Sequence, residues 1–514
     1  MDDSDRTARR DRRRGASGSS PAERRTNYDR LRNSFAPQRI FSDDEIANIH
    51  ETALKVIENL GIKVLLPDAR ARYAAAGALV DESTQMVRIG RDIVESALAS
   101  TPKSFQAKAG APARDQVFEL GAMMFLAGCG APNVTDIDRG RRAGTLADFE
   151  NLTKIVQSFD VLHAQGPYVE AQDIDVRFRH YAVARVQLTK SDKFPFVYAR
   201  GTRQVEQSFE MLKLARGVDD AAFTTDPHCY TVINTNSPRQ LDIPMARGII
   251  DFARFGQISI ITPFCLAGAM APISVAGALA LQHAEALAGI TLSQIVSKGA
   301  PVVYGSFSSN VDMKSGAPAF GTPEHVKATL GAGQLARHVG LPWRSGGGSA
   351  SNTNDSQAAH ETQFALWGSV LAGATICIHA AGWLEGGLSV SYEKLITDLE
   401  ALQTFAELFV PTSGSIDEIG YNAIADVQPG GHFFSTQHTM DRYRTAFYQP
   451  LVADLSNFGN WTEAGSKDAT RRANEIWKRT VADHKPIARA DEIDAVLEEY
   501  IARGTAAGGA EAES

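Results

Sequence analysis

The chain alternates eight times between a short apolar, strand-like run and a helical stretch, with a Gly/Pro/Asn-rich break between them. Strands that alternate with helices predict a parallel sheet, because parallel neighbours need a long crossover connection and a helix supplies it. Eight such units is the number that closes a (β/α)8 barrel, whose chemistry lies at the carboxyl ends of the strands. The eight runs are Met123–Ala127, Val161–Gln165, Phe196–Ala199, Tyr230–Asn234, Ile258–Thr262, Val302–Ser306, Pro342–Ser345 and Thr375–His379.

We therefore predict an α/β fold, a (β/α)8 TIM barrel over residues 116–430 with additions at both ends. Residues 37–115 show no strand–helix alternation and predict an N-terminal helical layer. In that layer Ser42 and Glu45 form a capping box that starts a helix ending at Gly61. Residues 431–503 predict a C-terminal helical extension. The polar, low-complexity segments 1–36 and 504–514 are predicted to be disordered, because they cannot offset the entropy of ordering.

The amino-acid composition and net charge argue against several classes of function. The 514 residues are 44% hydrophobic and carry a formal net charge of −8, which argues against nucleic acid as the main partner. Four cysteines, Cys129, Cys229, Cys265 and Cys377, form no CxxC pair, so we interpret them as buried free thiols in a reducing cytosol, with a zinc site as the minor alternative. No run of about 18 apolar residues predicts a membrane span. We expect a cytoplasmic protein.

A glycine-rich and then polar loop follows the seventh predicted strand, over residues 345–361 with the sequence SGGGSASNTNDSQAAHE. Glycines permit unusual backbone angles and the close approach of a ligand. One helix N-cap needs one polar residue, and this loop has four. Capping alone and substrate binding at the barrel mouth are both open interpretations. The four residues are Asn352, Asn354, Asp355 and Gln357.

Aromatic residues stand at several predicted strand ends. The eighth strand ends in HAAGWLEGG, where His379, Trp383 and Glu385 could supply rings and a charge to the catalytic face. A Trp packed beneath the loop is the alternative. Singly, such residues are more often core, but several that converge on one mouth would form a box for an organic cation. The others are Tyr168, Tyr198, Phe264, Tyr304 and Phe307.

Several familiar motifs are missing from the sequence. Gly128-Cys-Gly130 lacks the third glycine of a dinucleotide fingerprint, and there is no GxxxxGK[ST], HExxH or GxSxG. Asp226-x-His228 opens like the segment that carries the cobalt-ligating His of corrinoid-binding domains, but Thr231 replaces its glycine. We therefore expect no metal site and no cofactor bound by this chain, and the sequence assigns no catalytic residue.

Four long runs resemble the trimethylamine methyltransferase family: ITPFCLAGAMAPISVAGALALQHAEALAG, PVVYGSFSSNVDMKSGAPAFGTPE, HAAGWLEGGLSVSYEKL and GGHFFSTQHT. The resemblance extends from Phe41 to about Pro486. It implies a (β/α)8 barrel that moves a methyl group from a methylated amine to the cobalt of a small, separate corrinoid protein. The corrinoid (cobalamin) would then be supplied by that partner.

The archaeal trimethylamine enzymes of this family carry pyrrolysine, whereas this chain contains only standard residues. The resemblance is therefore to the non-pyrrolysine branch, which includes glycine betaine methyltransferases. We place the replaced position in the loop 345–357. A quaternary ammonium already has a neutral tertiary amine as its leaving group, so it needs positioning rather than an acid.

Arg200 follows the third predicted strand and Arg344 ends the seventh, so both are expected near the mouth. An arginine fork suits a carboxylate, which predicts a donor with a carboxylate beside its trimethylammonium group. Pairing of each arginine with a structural acid is equally open.

Two other functions of the protein also remain open. One is a non-catalytic protein that captures quaternary amines, and the other is a zinc-dependent barrel methyltransferase. We also expect a homo-oligomer.

Overall fold

The computed structural model describes residues 27–513, and its centre is a sheet of six parallel strands. The order across the sheet is β1-β6-β5-β4-β3-β2, and a short strand, Leu31–Arg32, pairs antiparallel with the outer side of β1. Each strand matches one of the predicted apolar runs. The six are β1 (Ala122–Ala127), β2 (Tyr230–Ile233), β3 (Ile258–Ile261), β4 (Val302–Gly305), β5 (Trp343–Gly346) and β6 (Ile376–Ala381).

The other two predicted strands, 161–165 and 196–199, are extended segments joined to the sheet by isolated bridges. Ala164 bridges Phe194, and Phe196 bridges Tyr230 in β2, both in parallel. On the other side, the amide of His163 donates to the carbonyl of Phe125 in β1 at 3.0 Å. The two segments therefore extend the parallel pairing from β2 towards β1, although neither forms a regular strand.

Side chains of each strand alternate between two apolar clusters. In β4, Val303 packs with Ile258, Ile260 and Ile376 on what we call the inner face. Its neighbour Tyr304 packs in the larger cluster, which contains the helices. Burial on both faces explains why these strands are continuous apolar runs rather than alternating ones.

Helices lie between consecutive strands, and most begin at a capping side chain, as with Ser274 and Ser391. The helix Val275–Val296 is long and apolar enough to cross a membrane by composition, but 78% of its apolar window is buried, as in the core helix of a globular fold. The crossover helices are Leu146–Ser158, Val176–Lys190, Thr202–Arg216, Asp220–Thr225, Ile243–Arg254, Val275–Val296, Pro323–His338, Ser356–Leu371 and Tyr392–Leu408.

The N-terminal region is not the purely helical layer that the sequence predicts. The capping box at Ser42 is present and starts the helix Asp43–Lys55, which continues as a π-helical turn to Gly61. Short strands too brief to give an alternating pattern lie between its helices. Its helices are Asp43–Lys55, Pro67–Ala75 and Arg91–Ser100, and its strands are Ile62–Val64, Leu79–Asp81, Met86–Arg88, Phe105–Ala107 and Gln116–Phe118.

Two small sheets are built from the loops that follow the core strands. One contains three strands and the other four. They hold the loops after β3, β4, β1 and β6 in fixed positions. The three are Leu266–Ala267, Ser309–Val311 and Pro318–Ala319, and the four are Asn133–Thr135, Arg142–Ala143, Trp383–Leu384 and Ser389–Ser391.

The ends of the chain differ from the predicted disorder. Residues 1–26 lie outside the described part, but Leu31–Arg32 pairs with β1. Near the other end, Ala510 is buried, and the amide of Glu513 donates to the carbonyl of Arg200 at 3.1 Å. Small residues let this low-complexity segment pack closely, so its composition was a poor guide to order.

Residues Val410–Pro450 separate by their contacts as a compact unit of their own. This unit contains three short helices, Ile416–Ile419, Tyr421–Asp426 and Gln437–Arg442. The predicted boundary at residue 430 therefore falls inside it. The other unit holds Tyr28–Phe409 and the residues from Leu451 onward, with the helices Phe458–Glu463, Ala469–Ala482 and Ala490–Ala506.

Candidate functional site

Arg344 is a buried cation at the carboxyl end of β5. Its neighbour Trp343 packs on the helix side, so Arg344 faces inward. The guanidinium donates to the carbonyl of Ser306 at 3.3 Å and lies 4.5 Å from the centre of the Phe307 ring. Among the described residues no carboxylate forms an ion pair with it, and its Nε has no hydrogen-bond partner. Burial lowers the pKa of Arg344 to about 10, so the side chain stays charged at neutral pH.

The Phe307 ring that contacts Arg344 belongs to an aromatic cluster that we call the aromatic wall: Phe264, Phe307, Phe320, His379 and Trp383. Phe307 lies 5.1 Å from Phe320, 5.6 Å from Trp383 and 5.4 Å from Phe264, measured between ring centres. His379 stacks on Trp383 at 4.3 Å. The indole N–H of Trp383 is buried without a partner in the described structure. The wall thus combines apolar ring surface with a second unsatisfied donor.

Glycines make the close packing of the wall possible. A Cβ at Gly346 would stand 2.4 Å from Phe307, and a Cβ at Gly348 would stand 2.3 Å from Trp383. Gly387 is equally close to Trp383 at 2.4 Å, and both Gly348 and Gly387 have positive φ. The glycine run after β5 therefore admits the approach of the protein's own rings, where the sequence suggested the approach of a ligand.

Strained backbone geometry occurs within β6 and in the turn that follows it. His379 and Glu385 have φ of 60° and 54°, unusual for residues with a side chain. Desolvation and the nearby Arg344 charge lower the pKa of His379 well below its ordinary value, so its ring is neutral, and its Nδ1 accepts from the Cys129 amide at 3.2 Å. Glu385 accepts from Arg141 at 3.0 Å and from Ser389 at 2.7 Å. Its charge is therefore balanced.

Tyrosine hydroxyls line the opposite side, near the extended segments. Tyr230 donates to the Gln165 carbonyl at 2.7 Å, and Tyr168 donates to the Gln165 side-chain oxygen at 2.5 Å. Burial raises the pKa of both well above 10, and it raises that of the Cys129 thiol to about 12, so all three stay protonated. Sequence reasoning missed Tyr230 and Gln165. Their position on inner-face strand ends was the only available signal.

Arg200 has the structural partner that the sequence left open. Its guanidinium forms a two-point ion pair with Glu170, at 2.6 and 3.2 Å, and packs 4.4 Å from the Tyr198 ring centre. Arg179 also binds Glu170 at 3.1 Å. Arg200 and Tyr198 thus have structural partners within the protein, and Arg200 is paired with an acid.

Tyr304 does not face the mouth, and its assignment there was wrong. It lies on the outer face of β4, where its hydroxyl meets Gln282 at 3.0 Å and His283 at 2.9 Å, both on the core helix Val275–Val296. In a strand whose faces are both buried, sequence alternation does not reveal which residues point inward.

Most polar side chains of the loop after β5 form hydrogen bonds with other residues of the protein. Asp355 caps the following helix by accepting from the Ala358 amide at 3.0 Å, and Asn352 is exposed. Glu361 accepts from the Ser349 hydroxyl at 2.7 Å and closes the loop. Two more predicted binders have protein partners: Asn354 contacts Thr470 at 3.4 Å, and Gln357 contacts Glu361 at 2.8 Å.

The structure thus brings Arg344, Phe264, His379 and Trp383 together. Of the remaining predicted residues, Asn352 is exposed and the others have partners elsewhere in the protein. Within residues 27–513, no group of three His, Cys, Asp or Glu residues is placed to hold a metal ion, and all four cysteines are free thiols. Whether the gathered residues bind substrate stays a prediction.

Comparison with known proteins gives consistent matches over almost the whole chain. A family model described as trimethylamine methyltransferase (MTTB) matches residues 5–509. Glycine betaine methyltransferase of Desulfitobacterium hafniense (strain Y51) is 34% identical over 466 residues, covering 90% of this chain and 96% of that protein. Trimethylamine methyltransferase MttB of Desulfitobacterium hafniense (strain DSM 10664 / DCB-2) is 31% identical, covering 90% and 93%. The solved monomethylamine methyltransferase (MtmB) of Methanosarcina barkeri aligns with a TM-score of 0.45 at 10% identity, covering 88% and 96%.

Proposed function

The chain belongs to the trimethylamine methyltransferase family and is a methyltransferase, and from this premise we propose that it demethylates a betaine-like quaternary amine. The methyl acceptor in this proposal is the Co(I) corrinoid of a separate, small partner protein. Arg344 is the observation that carries the donor class. It is a buried guanidinium without an ion-pair partner among residues 27–513, and it lies against an aromatic ring.

We infer that the central sheet closes into a (β/α)8 barrel. Six parallel strands and the bridges at Ala164 and Phe196, together with the His163–Phe125 hydrogen bond, support this closure. In such a barrel, Arg344 and the aromatic wall would lie at the carboxyl ends of the strands, where barrel enzymes carry their active sites.

A carboxylate on the donor would complete the surroundings of Arg344. An isolated buried charge is costly, and a carboxylate placed against it restores an ion pair with strong, charge-assisted hydrogen bonds. The unpartnered Nε of Arg344 and the indole N–H of Trp383 are both beside Phe307, so one carboxylate near that ring could accept from both. This arrangement favours a zwitterion over a simple amine.

The aromatic wall offers ring surface to the trimethylammonium group. A cation over an aromatic ring gains about 0.5–2 kcal/mol, depending on desolvation. Trp383 is only 5% exposed and carries His379 on one face, so Phe264, which is partly buried at the edge of the wall, has more free surface. We propose Phe264 as the main platform for the cation and Trp383 mainly as a hydrogen-bond donor.

The transfer step needs no proton from this chain. The reduced corrinoid of the partner supplies the nucleophile; the carbon–nitrogen bond breaks, the methyl group passes to cobalt, and the bonding electrons remain on nitrogen, which leaves as a neutral tertiary amine. The residues of this chain fix the donor in line, which converts a bimolecular encounter into an oriented one. Neutral His379 and protonated Cys129 and Tyr230 suit a site without acid–base work.

Two further parts of the proposal concern cofactor and compartment. We propose that the chain binds no corrinoid of its own, because Thr231 replaces the glycine of the only segment that resembles a cobalt-ligating motif. We place the protein in the cytoplasm, since its four free thiols suit a reducing compartment.

The test is methyl transfer to a Co(I) corrinoid acceptor, followed by the acceptor's absorbance spectrum, with glycine betaine, choline and trimethylamine at equal concentration. We expect glycine betaine to exceed the other two by about 10²–10⁴-fold in kcat/KM, because buried donors reject an analogue that leaves them unpaired. If choline or trimethylamine is faster, the carboxylate assignment fails and the methyltransferase stands. Binding of the betaine without transfer from any donor would favour a non-catalytic binding protein.

A further inference from the structure

The unit Val410–Pro450 exposes an unusual amount of apolar surface. Ten of its large apolar side chains are at least 45% exposed. The most exposed are Ile416, Phe434, Phe447 and Tyr421, at 86%, 78%, 75% and 72%. Monomeric proteins rarely expose so many large apolar side chains within one short segment.

This unit has almost no core of its own. Within residues 410–450 only Ala423 and Thr436 are buried. Its three helices are four to six residues long, and helices of that length are not stable in water without packing. The apolar side chains must therefore be covered by something other than the unit itself.

The area and composition of the patch match a permanent interface. Ten such side chains together expose on the order of 1,000 Å² in each chain, because one aromatic residue alone offers about 150–250 Å² when fully exposed. A stable, specific interface buries about 800 Å² per partner. Only six of the 41 residues are charged, four acidic and two basic. Few charges with many aromatic residues are typical of subunit contacts that do not exchange.

We propose that residues 410–450 form the self-association surface of this protein, and that the same segment of a second copy covers it. A two-fold dimer places one patch against itself, so a self-complementary apolar surface needs no other partner. A protein that approaches and leaves in every catalytic cycle would suit a more polar surface. The sequence of residues 1–26, charged and almost without large apolar residues, offers no apolar match. This inference does not depend on the proposed reaction.

Sedimentation velocity of the full chain over a wide concentration range tests the proposal. We expect the wild type to sediment with at least twice the mass of one chain. The double variant Phe434→Glu/Phe447→Glu should fall to the mass of one chain, because two buried carboxylates in each copy oppose association. The matched control Leu60→Glu/Leu79→Glu changes side chains that are 53% and 71% exposed outside the unit, and it should keep the wild-type mass.

A wild type that is monomeric at all concentrations would overturn the proposal. A wild-type monomer that gains mass only after a corrinoid protein is added would assign the surface to that partner instead. If the glutamate variant does not fold by circular dichroism, Phe434→Ser/Phe447→Ser replaces it, with a weakened association constant expected. An unchanged association constant in the folded serine variant would also reject the surface.

Discussion

Two arginines stand at strand ends of this molecule, and their surroundings are opposite. Arg200 shares the carboxylate of Glu170 with Arg179, so its guanidinium already has an acidic partner within the protein. Arg344 is buried against Phe307, and no acid among the described residues pairs with it. Sequence analysis led to the same hypothesis for both arginines, a role in binding a substrate carboxylate. The presence or absence of an acidic partner therefore distinguishes an arginine that supports the structure from one that is available to bind an anion.

Loss of the Arg344 charge should have the largest effect on activity. In Arg344→Gln, we expect kcat/KM for glycine betaine to fall about 100- to 1,000-fold, because truncating one member of a buried ion pair costs several kcal/mol. Initial rates of corrinoid methylation measure this. Choline, which is a quaternary amine without a carboxylate, serves as the control donor, and its lower rate should change little. An equal loss with both donors would mean that Arg344 supports the fold rather than the carboxylate.

The same residue should weaken the ligand-free protein. Burial lowers the pKa of Arg344 to about 10, whereas the unfolded chain keeps the higher, ordinary pKa of arginine. The loss of folding stability caused by the buried charge is fully present below pH 10. Stability should rise as the pH increases above 10 towards the ordinary pKa, because the unfolded chain binds more protons in that range. Arg344→Met should therefore raise the free energy of unfolding at pH 7 by about 1–3 kcal/mol. Urea denaturation checks this, and a less stable variant would show that the charge is compensated.

Trp383 sharpens the comparison because it offers a second unpaired donor to the same region. Trp383→Phe keeps a ring but removes the indole N–H, so we expect KM for glycine betaine to rise about 3- to 10-fold, as for one hydrogen bond. The matched control Trp367→Phe changes a tryptophan that packs against Phe35 and Phe405. Equal kinetics for Trp383→Phe and the wild type would remove the indole from the proposed carboxylate site.

Arg200 should show the smallest effect. In Arg200→Gln, Glu170 keeps Arg179 at 3.1 Å, so we expect less than a threefold change in KM. The cost to stability should be no more than about 1 kcal/mol, since the pair is partly exposed. Steady-state kinetics and urea denaturation of this variant provide the test. A loss of activity as large as that of Arg344→Gln would show that the two arginines are equally important for the reaction.

Local signals in the sequence predicted much of the fold. The helix Asp43–Lys55 begins at the predicted capping box, because the side chains of Ser42 and Glu45 satisfy the first backbone amides. The strands in the N-terminal region were missed because three residues give no readable alternation. Segments 161–165 and 196–199 have the apolar character of strands but pair only through single bridges.

The candidate site was harder to predict because its decisive contacts are long-range. The ion pair between Arg200 and Glu170 joins residues 30 positions apart, and no local sequence pattern predicts it. Asp355 was named as a binder although it has the simplest local role, that of an N-cap. His379, Trp383, Phe264 and Arg344 do lie close together, as expected for residues at predicted strand ends, and their role in substrate binding stays a prediction.

The glycines behind the aromatic wall have a consequence for engineering new donor preferences. Gly346, Gly348 and Gly387 occupy places where one added carbon would stand within 2.4 Å of Phe307 or Trp383. A mutant library that randomises the segments around these three glycines as if they were flexible would therefore displace the rings in most of its members. Substitutions at Phe264, with the three glycines kept constant, would change the volume available to the methyl donor. The backbone conformation around the aromatic wall would stay unchanged.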